Sequence, residues 1–269
     1  MYGVVGRVLQ TLPDGERVVG VASLDNLLYV LRDNQSSQQL EVYNTESYSL
    51  VKSFTVPGLG NASDMVACSH NRNAYIADSS NKCVLVLSRS AVRKWPVHDS
   101  PCCLSITDRH SLLVTCDEVR KIKEFCADGK LLREVTLAED IVSPSKTIQL
   151  PTGEFILCHG GFGEQEYRIC LTDSNGQVVK SYGGRKGAGI EQLNWPAHLA
   201  VDRNHFVFVA DSNNRRVLLL SQTLTYIREV VSADQLNACP VRLCLDSGRS
   251  HMYVAVNSLK SGRVVVVGV

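Results

Sequence analysis

The stretch Phe206-Val-Phe-Val-Ala-Asp-Ser-Asn-Asn-Arg-Arg-Val-Leu-Leu-Leu220 decides the fold. An apolar run ends at Asp211, a polar knot of Ser212-Asn213-Asn214 follows, and a second apolar run starts at Val217. Two strands joined by a tight turn account for this order, because Asp and Asn side chains hydrogen-bond their own backbone and hold a reversal. The same phrase stands earlier as Ala74-Tyr-Ile-Ala-Asp-Ser-Ser-Asn-Lys-Cys-Val-Leu-Val-Leu87. A turn-bearing phrase of this length, written twice, points to a repeat protein.

Working outward from the last residue of the anchor strand gives a series: Asp33, Asp78, Asp117, His159, Asp211 and Asn257. These anchors lie roughly 40–50 residues apart, the spacing of propeller blades. In each unit an apolar strand a precedes a turn, strand b carries the anchor, and strands c and d follow. Val84–Leu87 and Ile122–Cys126 read as strands c, and Leu131–Val135 and Val178–Tyr182 as strands d. Asp128-Gly129 and Asn175-Gly176 mark c–d hairpins, because such turns need positive φ. Four short strands per unit without helical periodicity describe one blade. The expected architecture is an all-β, six-bladed propeller in a single domain over 1–269, with blades near 16–60, 61–100, 101–140, 141–193, 194–236 and 237–269 plus 1–15. The sixth unit stops after strand c (Arg263–Val267), while Val4–Leu12 is an orphan strand. The orphan is expected to complete the sixth blade and hide the open sheet edge. The fourth unit departs from the pattern: His159-Gly-Gly-Phe-Gly-Glu-Gln-Glu166 replaces the usual turn, and Gly183–Gly189 reads as a long following loop.

The totals exclude several classes. At 269 residues the chain buries a substantial core, and a net charge of +1 carries no overall signal for nucleic acid. Met1-Tyr-Gly-Val-Val-Gly-Arg lacks the regions of a secretory signal, and no apolar run is long enough to cross a bilayer. Ten cysteines with no Cys-x-x-Cys spacing read as small buried thiols in a reducing, cytoplasmic setting. No cofactor and no metal is expected: the seven histidines show no ligand spacing, although His159 and His198 approach the central channel. Gly183-Gly-Arg-Lys-Gly has no Walker spacing, and no nucleophile–base pair is evident, so the chain is read as a non-enzyme.

The repeat has a recognisable spelling. Asn194-Trp-Pro-Ala-His-Leu-Ala-Val-Asp202 followed by Phe206–Val217, with Tyr182-Gly-Gly184 ahead of it, resembles the NHL repeat. The fifth unit matches best, the second well, the first, third and sixth loosely, and the fourth diverges. The whole chain resembles the C-terminal NHL domain of tripartite-motif (TRIM-NHL) proteins. That resemblance implies a propeller that recognises RNA or protein, with ubiquitin-ligase activity only where a separate RING domain is joined to it.

In a propeller, b–c turns and d–a connections emerge on one face. Here that face collects Lys82, Arg120, Lys121, Arg185, Lys186, Arg215, Arg216, Lys260 and Arg263, with Phe162, Trp195 and Tyr182 nearby. Cations on a rim contact phosphates and aromatics stack bases. The acids of the face, read first as turn caps at Asp78, Asp117 and Asp211, are expected to leave cations in excess. Neighbours on a strand point oppositely, so only one of Arg215 and Arg216 is expected to face a ligand. The expected partners are single-stranded or stem-loop RNA or, alternatively, a protein bound by the same face. No membrane partner is expected, and the isolated domain is expected to be monomeric. A channel-site lyase or hydrolase is the remaining reading.

Overall fold

The structure is a computed structural model that describes residues 6–34, 37–88, 91–161, 163–259 and 261–269. It contains six four-stranded antiparallel sheets arranged as a propeller. The first strand, β1 (Arg7–Thr11), belongs to the last blade. Blade one is β2 (Arg17–Leu24), β3 (Leu27–Asp33), β4 (Gln38–Asn44) and β5 (Leu50–Thr55). Blade two is β6 (Ala62–Cys68), β7 (Asn73–Asp78), β8 (Cys83–Leu87) and β9 (Val92–Pro96). Blade three is β10 (Cys103–Ile106), β11 (Leu112–Cys116), β12 (Lys121–Phe125) and β13 (Leu131–Thr136). Blade four is β14 (Thr147–Gln149), β15 (Phe155–His159), β16 (Glu166–Thr172) and β17 (Val178–Arg185). Blade five is β18 (Pro196–Val201), β19 (Val207–Asp211), β20 (Arg216–Leu220) and β21 (Tyr226–Val231). After the short helix α1 (Ala233–Leu236), blade six is β22 (Cys239–Asp246), β23 (His251–Asn257) and β24 (Gly262–Gly268), finished by β1.

The expected closure is present. β1 runs antiparallel to β24, with Arg7 opposite Gly268 and Thr11 opposite Val265. A second tie crosses to blade one: Asn257 accepts the Val18 N–H and donates to the Val18 carbonyl, both at 2.9 Å.

Burial is greatest in the second strands of the blades and falls toward the rim, as the sequence pattern dictates. Every residue of β7, β11, β15 and β19 is buried, while β5 and β13 are mostly exposed. Strands with neighbours on both faces are nearly continuously apolar, whereas the rim strands alternate or are polar. The apolar clusters lie between blades; one joins Tyr75, Val84 and Trp95 of blade two to Leu104, Leu112 and Val114 of blade three.

Two local expectations are corrected. The glycines Gly183 and Gly184 extend β17 instead of opening a loop. At Gly183, φ is +96° and a Cβ would stand 2.5 Å from the Tyr167 carbonyl, so only glycine lets β17 stay this close to β16. In blade three the strand ends at Cys116, and the Asp117 carboxylate makes no hydrogen bond among the described residues.

Candidate recognition face and axial channel

The repeated turn is built by its aspartate. Asp78 accepts N–H groups from Gly60 at 2.8 Å and from Asn61 and Asn81 at 3.1 Å, plus the Asn81 side-chain amide at 2.8 Å. It thereby ties the d–a connection to the b–c turn, and these donors hold its carboxyl below the usual range despite burial. Asp211 repeats the design, accepting the Asn194 N–H, the Asn214 amide and Arg216 Nε, each at 2.8 Å.

The paired residues after each anchor divide their work. Lys82, Arg120 and Arg215 each sit immediately before strand c in left-handed backbone, with φ of 48°, 51° and 55°. Lys82 and Arg215 are exposed there, and Arg120 is half-buried, donating to the Glu139 carbonyl at 2.9 Å. The second residue turns back into the protein. Cys83 is buried. Lys121 pairs with Glu134 at 2.7 Å. Arg216 fans from Asp211 to the carbonyls of Ala188 at 2.8 Å and Gln192 at 3.0 Å. Arg263 is likewise occupied, by Asp14 and the Leu236 carbonyl. Arg185 and Lys186 are exposed, whereas Lys260 and Phe162 lie outside the described residues.

Among the described residues the expected excess of cations on this face is not found. Exposed Arg17, Lys82, Arg185, Lys186 and Arg215 alternate with exposed Glu118, Glu139, Asp140, Glu164, Glu191 and Asp234. The face also carries four exposed apolar side chains: Val119, Val142, Ile190 and Leu259, the last two 72% and 99% exposed. The aromatics are not free platforms. Tyr182 is buried and its hydroxyl accepts the Glu191 N–H at 3.0 Å, while Trp195 packs on the cluster around Leu193 and Leu199.

Of a second site the sequence offered only His198, because it is assembled from all six blades. In four inner strands a bulge precedes regular pairing, and the residue after it is Gly20, Asp64, His198 or Arg242. Cys102 and Lys146 occupy the same level just ahead of β10 and β14. Asp64, 1% exposed, stands at the centre. It lies 3.1 Å from Lys146 Nζ, 3.2 Å from Arg242 Nε and 3.7 Å from His198 Nε2, and accepts the Leu104 N–H at 3.0 Å. Burial pushes the Asp64 carboxyl up, but Lys146, His198 and Arg242 outweigh it and hold the carboxyl far below the usual range. His198 is pushed down to about 3 by burial and then by Lys146, so its ring is neutral at ordinary pH. Two cations against one anion leave the ring with one net positive charge. All ten cysteines are free, and burial raises Cys158 to about 11 and Cys116 to about 12, so neither offers a thiolate.

No protein-family model and no curated protein matches the chain in sequence. Its fold does have solved counterparts. A streptogramin B lyase superposes with a TM-score of 0.65 at 12% identity, covering 97% of this chain and 96% of that one. Kuenenia stuttgartiensis hydrazine synthase gives 0.65 at 12%, covering 100% and 99%. A catalytically inactive virginiamycin B lyase from Staphylococcus aureus, with quinupristin, gives 0.64 at 10%, covering 97% and 98%. The likeness is one of fold alone. It supports the six-bladed ring and transfers no activity. No helix among the described residues is long and apolar enough to cross a membrane.

Proposed function

We propose that the chain is an NHL-type propeller acting as a non-enzymatic recognition module, and that its b–c/d–a face receives a protein partner. One observation carries this reading: on that face Val119, Val142, Ile190 and Leu259 stand exposed among side chains of both signs. Apolar anchors with a charged surround are the anatomy of a protein interface, whereas a nucleic-acid surface is dominated by positive charge. The propeller supports it by holding six sets of loops in one rigid plane. Through the TRIM-NHL resemblance, such a partner would be a ligase substrate where a RING domain shares the chain.

RNA is the second reading, favoured by the exposed Arg185–Lys186 pair together with Lys82 and Arg215. One comparison separates them. In cells, proximity labelling and ultraviolet RNA crosslinking are run on the wild type, on Ile190→Asp/Leu259→Asp, and on Lys82→Glu/Arg185→Glu/Lys186→Glu/Arg215→Glu. The protein reading expects labelled partners that disappear with the apolar double variant. Partners unaffected by that variant, combined with RNA crosslinks lost on charge reversal and weakened by salt, would replace it with the RNA reading.

A further inference from the structure

The channel continues beyond its charged ring. A cavity of about 260 Å³ runs between the inner strands from Lys146 and His198 toward the a–b face. Its walls are largely apolar, with Ala22, Val66, Ile148 and Ala200 from four blades, and Ser105 adds a hydroxyl near the charged end.

The polar atoms at that end are incompletely used. The Leu243 N–H donates to His198 Nδ1 at 3.2 Å, so the neutral ring carries its proton on Nε2. That Nε2 is 3.7 Å from Asp64 Oδ1, too far for a hydrogen bond, and has no other partner among the described residues. Ser105 Oγ is also buried and unpartnered. Lys146 Nζ donates to Asp64 and to the Leu104 carbonyl, and an ammonium has a third N–H to give. One cavity thus offers donors from Lys146, His198 and Ser105, carries net positive charge, and presents apolar walls to anything longer than the charged end.

We propose that the axial channel binds a small monocarboxylate, its oxygens received by Lys146, His198 and Ser105 and its short apolar tail lying along Ala22, Val66, Ile148 and Ala200. An ionised carboxylate is all acceptor, which matches the spare donors of Lys146, His198 and Ser105; Asp64 Oδ1, which also accepts no hydrogen bond, is faced by Arg242 Nε at 3.2 Å. Its charge offsets the uncompensated cation of the ring, which neither an amide nor an amine does. The volume lies below the ~300–1,000 Å³ of pockets for drug-sized ligands, which limits the tail to a few carbons. Ordered water is the competing occupant of such a site.

The test uses sodium butyrate as probe, with butyramide and butylammonium as controls, by titration calorimetry on the intact chain. Butyrate should bind saturably at one site, at least tenfold more tightly than butyramide, and butylammonium should not bind. Ser105→Ala should weaken butyrate about three- to tenfold, the worth of one hydrogen bond. Ala67→Phe, which fills the cavity from its wall, should abolish binding while the circular dichroism spectrum stays unchanged. If that variant does not fold, the Ser105→Ala shift and the butyramide ratio decide. Equal affinity for butyrate and butyramide, or no saturable butyrate binding to a cooperatively melting wild type, would overturn the proposal and leave water as the occupant. Ile190→Asp/Leu259→Asp should bind butyrate like the wild type, so failure here and failure of the recognition reading are distinguishable.

Discussion

His198 should make the protein lose stability on mild acidification. Its folded pKa is about 3, lowered by burial and then by Lys146, with Arg242 adding and Asp64 opposing. In the unfolded chain a histidine titrates near ~6.5. Between those values the unfolded chain binds a proton that the native state refuses, so stability falls as pH drops through that window. Each pH unit inside it removes ~1.4 kcal/mol, which gives ~2 kcal/mol between about pH 7 and about pH 5. Stopping at about pH 5 leaves out most of the contribution of Asp64, Asp78, Asp99 and Glu134, which are held below their usual range, while Asp211, raised by burial, is common to both proteins compared. His159, also lowered by burial, acts in the same direction and is common to both proteins compared. The perturbation is His198→Asn, whose Oδ1 can take the place of Nδ1 as acceptor for the Leu243 N–H and which removes the titration. Urea unfolding at the two pH values should show the wild type losing ~2 kcal/mol more than the variant. An equal loss in both proteins refutes the reasoning. So does a histidine ring-proton titration by nuclear magnetic resonance that places His198 near its ordinary value, a readout that stands even if the variant does not fold.

Arg216→Lys should destabilise the protein by about 2–3 kcal/mol in urea, because a lysine cannot reproduce the fan to Asp211, Ala188 and Gln192, whereas Lys82→Ala should stay within ~0.5 kcal/mol. Gly129→Ala should cost more than about 1 kcal/mol in the same assay: φ is +86° there, and the new Cβ would stand 2.5 Å from the Trp95 ring.

The architecture was largely legible because its determinants are local and repeated. Asp78 and Asp211 spell the same turn, and each structure-building contact lies in its own blade or the preceding connection. The orphan strand was legible too, since a ring of six with a strand missing has one place for it. Of the channel, only His198 was. Gly20, Asp64, Cys102, Lys146, His198 and Arg242 share a position in the repeat but no chemistry, so repetition conceals them. The available signal was their fixed place at the head of strand a. The character of the face also escaped, for a different reason. Charge is visible in sequence but pairing is not: Lys121 and Glu134 lie on neighbouring strands, and Arg216 is bent onto Asp211 and the loop before it.

The pairing of β1 with β24 has a consequence for the timing of synthesis. Arg7 leaves the ribosome before any other strand described here, and its partner Gly268 leaves after all of them. At about 5–20 residues per second, β1 waits from roughly ten seconds to nearly a minute for the strand it is to pair with. The other blades find their partners within their own segment, so they can assemble as they emerge. The sixth cannot, and the Val18–Asn257 tie that joins it to the first must wait with it. Contacts of such separation slow folding. While the propeller itself is being synthesised, then, it is an open arc with β1 unclaimed, and it becomes a ring only when β24 is released.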